Sequence, residues 1–330
     1  MILWNIFPKR LKLCNIVNRK STNNDIRPIF SGHGTFPMRY GWLKKVYDAC
    51  VNIRNKNGDI SKDLFNNDES IVMLGVGKNM VASMRYWATN TGVLGLNKGI
   101  LSITEFADEL FADDGFDPWM ENYATLWFLH WNLISLKKDC LYSYYWLFNH
   151  YTSPTFDKHT LAKRITEAVR DNAWSEMSAD TLDRDIGCLI SLYTTKPSRN
   201  KLIEEKIESP LTELELISPI TRRDVFQLNR GTKPTLSIYT FLFGLFKFWN
   251  YYSPSAKTLS FEAICYAPMS PGKVFLINED AIAGYMQNIS NATGGILVYS
   301  ETAGLKQLFL KKNVSDFDQT AFDMLRKNYK

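Results

Sequence analysis

The stretch Gly75-Val76-Gly77-Lys78 is the first that suggests chemistry, because glycines ahead of a lysine can cradle phosphate. The spacing fails a phosphate loop twice. The glycine needed five positions before Gly77 is Val72, and the Ser or Thr that would hold magnesium after Lys78 is Asn79. His33, His130, His150 and His159 are the only histidines. His33 lies in a loop between Gly32 and Gly34, whereas His130 has Trp127 and Trp131 beside it and reads as a hydrogen-bonded core residue. Asp113, Asp114, Asp117 and Glu121 form an acidic cluster that, with His33, has the residue types of a metal-dependent nuclease. A helix N-terminus and Pro118 explain those acids without a metal. Ser270-Pro271-Gly272-Lys273 lacks the Gly-x-Ser-x-Gly frame of a nucleophile elbow. Five cysteines stand at 14, 50, 140, 188 and 265, no two closer than 36 residues, which excludes a zinc ribbon and a local disulfide framework. Cys50, Cys188 and Cys265 have apolar neighbours and read as small core residues. The residues predict no catalytic set, no metal and no cofactor.

A binding chemistry is better supported. Asn67–Leu74 reads as a short helix, Gly75-Val76-Gly77 as a tight break, and Lys78–Asn90 as a second helix with Met80, Val81, Met84 and Trp87 in an apolar stripe. Gly92 sits where that helix stops. Val93–Leu96 and Ile100–Ile103 are apolar runs around Asn97-Lys98-Gly99, a hairpin signal. Helix, turn, helix and hairpin make the layout of a winged helix-turn-helix. On this reading the helix over 78–90 offers Lys78, Asn79, Ser83, Arg85 and Tyr86 to duplex DNA, with Lys98 on the wing touching backbone. A protein-docking role for the same shape would use Trp42, Tyr86 and Trp119 as aromatic anchors.

The elements around this unit predict a mainly α fold with small β hairpins. Residues 1–29 are a basic, disordered lead, 30–103 the winged helix-turn-helix, 104–195 a helical domain, 196–234 an irregular linker rich in proline, and 235–330 a C-terminal winged-helix-like domain. In the middle, Thr104 caps a short helix to Phe111, and Asn122–Leu136 is an apolar helix buried on most sides. Leu141–Tyr151, Asp157–Asn172 and Ala179–Tyr193 supply three more. The C-terminal part repeats the earlier pattern. It has helices over Thr235–Tyr252, Ser260–Tyr266 and Asn278–Ile289, and strands over Ile296–Tyr299 and Lys306–Leu310. Lys306, Lys311 and Lys312 lie on or after this second wing, and Asp318–Tyr329 closes the chain as a helix.

Composition agrees with a folded protein: 45% of the 330 residues are hydrophobic and 14% aromatic, too many for disorder. The longest greasy stretch, Thr240–Tyr252, is cut by Gly244, Lys247 and Asn250, which argues against a membrane span. The net charge of +5 is carried entirely by residues 1–30, which hold six bases and one acid. The lead lacks the h-region of an export signal, so a reducing cytoplasm is the expected compartment.

Several longer motifs resemble a bacterial and archaeal family known as domain of unknown function 4007. They are Phe30–Lys45 (FSGHGTFPMRYGWLKK), Leu74–Val81 (LGVGKNMV), Arg85-Tyr86-Trp87, Asp117–Asn122 (DPWMEN), Thr125–Trp131 (TLWFLHW), Ser209–Leu214 and Ser270–Phe275. The resemblance runs from residue 30 almost to the end and marks Ser31, Gly32, His33, Arg39, Trp42, Asp117, Trp127 and His130 as family-motif positions. Gly34 stands where the family usually has Glu, and Asn122 replaces an acid, which weakens a metal-site reading. The resemblance implies a setting rather than a reaction: such proteins are often encoded beside sulfur-transfer proteins and ATPases of DNA-modification and phage-defence islands. The expected function is a non-enzymatic DNA-binding accessory protein, linked to phosphorothioation of the DNA backbone. The alternatives are an adaptor for a sulfur-transfer or ATPase partner, and a metal-dependent nuclease.

Overall fold

Helical spacing in the sequence becomes helix wherever an apolar stripe finds a partner. The computed structural model describes residues 26–57, 62–65, 68–97, 100–195, 208–220 and 224–330. β1 (Arg27–Ile29) opens the described chain and α1 (Trp42–Asn57) follows, burying Trp42, Leu43, Val46 and Cys50. α2 (Asp68–Leu74) carries Asp68 and Glu69 in its first turn, where the helix dipole favours negative charge. Its C-terminus breaks at Gly75, and α3 (Lys78–Asn90) starts three residues later with Val81, Met84, Trp87 and Ala88 buried. β2 (Leu94–Asn97) and β3 (Ile100–Ile103) pair antiparallel, and the Thr104 hydroxyl caps α4 (Glu105–Phe111) by accepting from Ala107 N–H at 3.2 Å.

α5 (Tyr123–Ile134) is the aromatic helix, with Trp127 and nearly every neighbour buried. β4 (Asp139–Leu141) then runs parallel to β1, and Arg27 Nε bonds Asp139 Oδ1 at 2.8 Å. Residues 27–29 are therefore not part of a disordered lead; their backbone is committed to a strand pair formed across more than a hundred residues. α6 (Tyr142–Asn149), β5 (Thr155–Asp157), α7 (Lys158–Asp171) and α8 (Ala179–Tyr193) come next. The expected linker over 196–234 is a second correction. Pro210–Leu214 forms a 3-10 turn, β6 (Ile217–Pro219) and β7 (Val225–Leu228) form a hairpin, and β5 joins it in the order β5-β7-β6. Proline is tolerated there because Pro210 opens its turn and Pro219 ends an edge strand.

α9 (Ile238–Tyr252) is capped by Ser237 and buried along most of its length. It is followed by β8 (Thr258–Ser260), α10 (Phe261–Tyr266), α11 (Pro271–Val274) and α12 (Glu279–Ala292). β9 (Leu297–Thr302) and β10 (Leu305–Leu310) form a hairpin that β8 joins in the order β8-β10-β9. Thus a helix, a lone strand, helices and a hairpin, with the lone strand laid against the last hairpin strand, occur twice, over residues 142–228 and 238–310. α13 (Phe317–Arg326) packs on α9, and Lys247 reaches Asp318 at 2.8 Å. Arg326 holds Glu109 of α4 through two bonds, of 2.6 and 2.7 Å, tying the C-terminus to the first unit.

One continuous cluster of buried side chains takes in all these elements, from Phe30 to Leu325. The tightest approach within it is at Gly272. A Cβ there would lie 2.2 Å from the carbonyl oxygen of Cys265, which is backbone and cannot swing aside. Gly272→Ala is expected to cost at least about 1–3 kcal/mol through overpacking. Urea unfolding of the two proteins measures this, and an unchanged midpoint would show that α10 and α11 can separate freely.

Candidate functional site

The helix α3 divides its polar residues between two faces. Lys78, Asn79 and Ala82 are exposed and Arg85 is half-buried. Gly77 precedes Lys78 in extended conformation and offers no side chain to cap the first turn. The helix dipole at the start of that turn and the Lys78 ammonium give one end of α3 a positive, solvent-facing character. Ser83 and Tyr86 do not belong to this face. Ser83 is fully buried and donates to the Phe36 carbonyl at 3.3 Å, which Trp87 Nε1 also reaches at 2.9 Å. The Tyr86 hydroxyl is buried without a partner among the described residues. The physical reason is the segment over 30–38, which lies across α3 and takes the side that would otherwise face outward. Lys98 falls outside the described residues.

His33 organises that covered side. Thr35 N–H donates to His33 Nδ1 at 3.1 Å, so the proton of a neutral ring sits on Nε2 and is donated to Asp185 Oδ1 at 3.0 Å. The ring stands edge-on to Tyr86 at 5.7 Å and is stacked with Trp87 at 6.1 Å. Gly32 is required beside it: its φ is +117°, and a Cβ would meet the Tyr86 ring at 2.7 Å. Asp185, on α8, is 152 residues from His33, and no local signal in the sequence marks it. Its second oxygen and the hydroxyls of Tyr86 and Tyr144 are buried and unpartnered among the described residues.

The other motif positions are mostly structural. Asp117 accepts from Glu121 N–H at 2.8 Å, Asn122 N–H at 3.1 Å and the Thr125 hydroxyl, fixing the start of α5. His33 and Asp117 are thus each saturated by different partners, and the structure does not bring them together. Among the described residues no three His, Cys, Asp or Glu side chains gather as metal ligands would. Arg39 stacks over Trp42 at 5.6 Å, Trp127 Nε1 donates to Thr235 at 3.3 Å, and Ser31 is exposed. Of the three aromatic anchors expected for a docking role, Trp42 is buried and Tyr86 is turned inward, while Trp119 is 65% exposed. Cys50, Cys140, Cys188 and Cys265 are buried and form no disulfide among the described residues.

The family model described as "Protein of unknown function (DUF4007)" matches residues 30–329. The chain belongs to this family. Two solved structures are similar to this DUF4007 chain over most of its length. A magnesium-bound crystal structure of SspB is 25% identical, with a TM-score of 0.79 over 93% of this chain and 89% of that one. A second SspB crystal structure is 25% identical, with a TM-score of 0.77 over 92% of this chain and 88% of that one. No curated protein matches the chain. No helix among the described residues is long and apolar enough to cross a membrane.

Two DUF4007 motif histidines can be tested directly. Removing the ring in His33→Ala leaves Asp185 buried with no partner. A loss of about 3–5 kcal/mol is expected, read from urea unfolding; a loss under about 1 kcal/mol would show that water replaces the ring without cost. His130 is fully buried, accepts from the Tyr193 hydroxyl at 2.7 Å on Nδ1 and donates from Nε2 to the Val274 carbonyl at 2.8 Å. Its pKa is lowered from 6.5 to about 4, chiefly by burial and to a smaller extent by Lys233, against the Val274 bond, which raises it. Between pH 6.5 and about 4 the unfolded chain therefore binds a proton that the folded chain does not. Stability falls as pH falls through that window, by up to about 3 kcal/mol. His130→Gln should lose this one-proton slope, as measured by denaturant midpoints at several pH values.

Proposed function

We propose that this DUF4007 protein is a non-enzymatic DNA-binding accessory component of a DNA-modification or phage-defence system, linked to phosphorothioation and working beside sulfur-transfer or ATPase proteins. The observation that carries the reading is the open, positive end of α3, where Lys78 and Asn79 stand exposed at the start of a helix that follows a tight turn and precedes a hairpin. That order fits the winged helix-turn-helix layout, and the element order over 142–228 and 238–310 would fit two further copies in which a lone strand completes the wing sheet. Lys78 and Arg85 contact phosphate, Asn79 is placed for a base edge, and phosphate contacts supply most of the affinity. The Lys78→Ala, Arg85→Ala double variant should bind duplex DNA about tenfold or more weakly and with a salt slope shallower by about one to two. Unchanged affinity and slope in a folded double variant would reject the assignment. The same titration with phosphorothioated duplex tells whether the modification is read.

The magnesium in the similar SspB structure favours one second reading, metal-dependent cleavage of DNA. The described residues do not fit it well. Both nitrogens of His33 are committed, and Asp48 and Asp113 share the Lys44 ammonium at 2.7 and 3.1 Å, so a cation already occupies the place between them. Nicking of supercoiled plasmid that requires magnesium or manganese, and that a purified Asp113→Asn variant lacks, would overturn the non-enzymatic reading.

A further inference from the structure

Many cations on this protein lie against a carboxylate; three beside α9 do not, and two of them are half-buried. Arg230 and Lys233 sit on the loop between β7 and α9, and Lys273 sits on α11. The two segments are held together by Gly231 N–H, which donates to the Leu276 carbonyl at 2.9 Å. Arg230 reaches back to the Tyr151 carbonyl at 3.4 Å, and the Lys233 ammonium bonds the Asn229 carbonyl. Lys233 and Lys273 are half-buried, while Arg230 is exposed. None of the three has a carboxylate within 4.0 Å among the described residues, and Glu215 reaches Lys233 only at longer range.

Three cations without a carboxylate, on segments tied by the Gly231 bond, form an arrangement that costs free energy. Lys233 is held down to about 8, chiefly by burial, with Glu215 pulling it up and the Arg230 guanidinium pushing it down. Lys273 is lowered by burial and then by the same guanidinium. The Arg230 guanidinium thus acts on both lysines. Repulsion of this kind is relieved by an anion that all three can share.

We infer that Arg230, Lys233 and Lys273 form a binding site for a phosphate group. A guanidinium fork can take two oxygens side by side, and two ammonium groups serve the remaining oxygens as point charges. The loop tether at Gly231 keeps the donors in place, so little ordering is needed on binding. Lys273 belongs to the Ser270–Phe275 motif, which the DNA-binding reading of α3 leaves without a role. The phosphate comes either from the backbone of a nucleic acid or from a small phosphorylated molecule. The site stands on different residues from the α3 face and does not depend on it.

The test is calorimetric titration of the full chain with inorganic pyrophosphate, for the wild type, Lys273→Gln, Arg230→Gln and, as a control on exposed charge, Lys163→Gln. The wild type and Lys163→Gln are expected to bind alike, and Lys273→Gln and Arg230→Gln about tenfold or more weakly, the size of one lost charge-assisted hydrogen bond. Absence of binding in the wild type, or equal affinity in all four proteins, would overturn the site. Thermal midpoints without pyrophosphate guard against misfolding: relief of repulsion should leave Lys273→Gln at or above the wild-type midpoint, whereas a lysine needed only for packing would lower it. Given binding, a short duplex that displaces pyrophosphate assigns the phosphate to nucleic acid, and one that does not assigns it to a small molecule. Failure of the Lys78 face alone would alter duplex binding and leave the pyrophosphate result intact.

Discussion

The hydrogen bond from His33 to Asp185 is the constraint on which the first half of the protein depends. It joins a glycine-flanked loop to a helix 152 residues away, and both side chains are buried. A buried carboxyl needs a donor, and a buried imidazole needs both nitrogens satisfied. Thr35 N–H and Asp185 together satisfy His33. The loop over 30–38 must then lie across α3, and so Ser83, Tyr86 and Trp87 face inward. The outer face of α3 is what remains, and its exposed start carries Lys78 and Asn79.

The second half depends on close approach of helices. α5 and α9 are apolar nearly all round, so each must be covered on every side. Gly244 and Gly272 allow that covering. A Cβ at Gly244 would lie 2.7 Å from the Phe275 ring and 2.8 Å from Trp131, so α9 meets α5 and α11 at a point where no side chain fits. The motif Ser270–Phe275 reads in this light as a packing device: Ser270 caps α11, Pro271 opens it, and Gly272 lies against the Cys265 carbonyl. Lys273 is its one residue with charge to spare.

Charge is distributed so that the structural ions are paired and the remaining ones are informative. Lys44, Arg54, Lys247 and Arg326 each hold a carboxylate and join separate elements. Such pairs contribute more to geometry than to stability where they are exposed. Lys78 at the start of α3, and Arg230, Lys233 and Lys273 beside α9, have no such partner among the described residues. Both groups suit an anionic partner, and they occupy different elements of the fold.

Local order was legible in the sequence by itself. Met80, Val81, Met84 and Trp87 mark α3 to its observed ends, Thr104 marks a cap that forms, and the runs beside Asn97-Lys98-Gly99 mark a hairpin. The family motifs also fix membership from residue 30 onward. These features depend on neighbours within a few positions, which a single sequence displays. What only the tertiary structure decided involves groups far apart in the chain. Ser83 and Tyr86 turned inward because a loop from residues 30–38 covers them. Residues 27–29 became a strand because Asp139–Leu141 offers an edge. Residues 217–228 became a hairpin because β5 completes its sheet. Asp185 and the Arg230, Lys233 and Lys273 cluster carry no local pattern at all. A side chain's partner is set by which surfaces meet in space, and periodicity along the chain says only which surfaces exist.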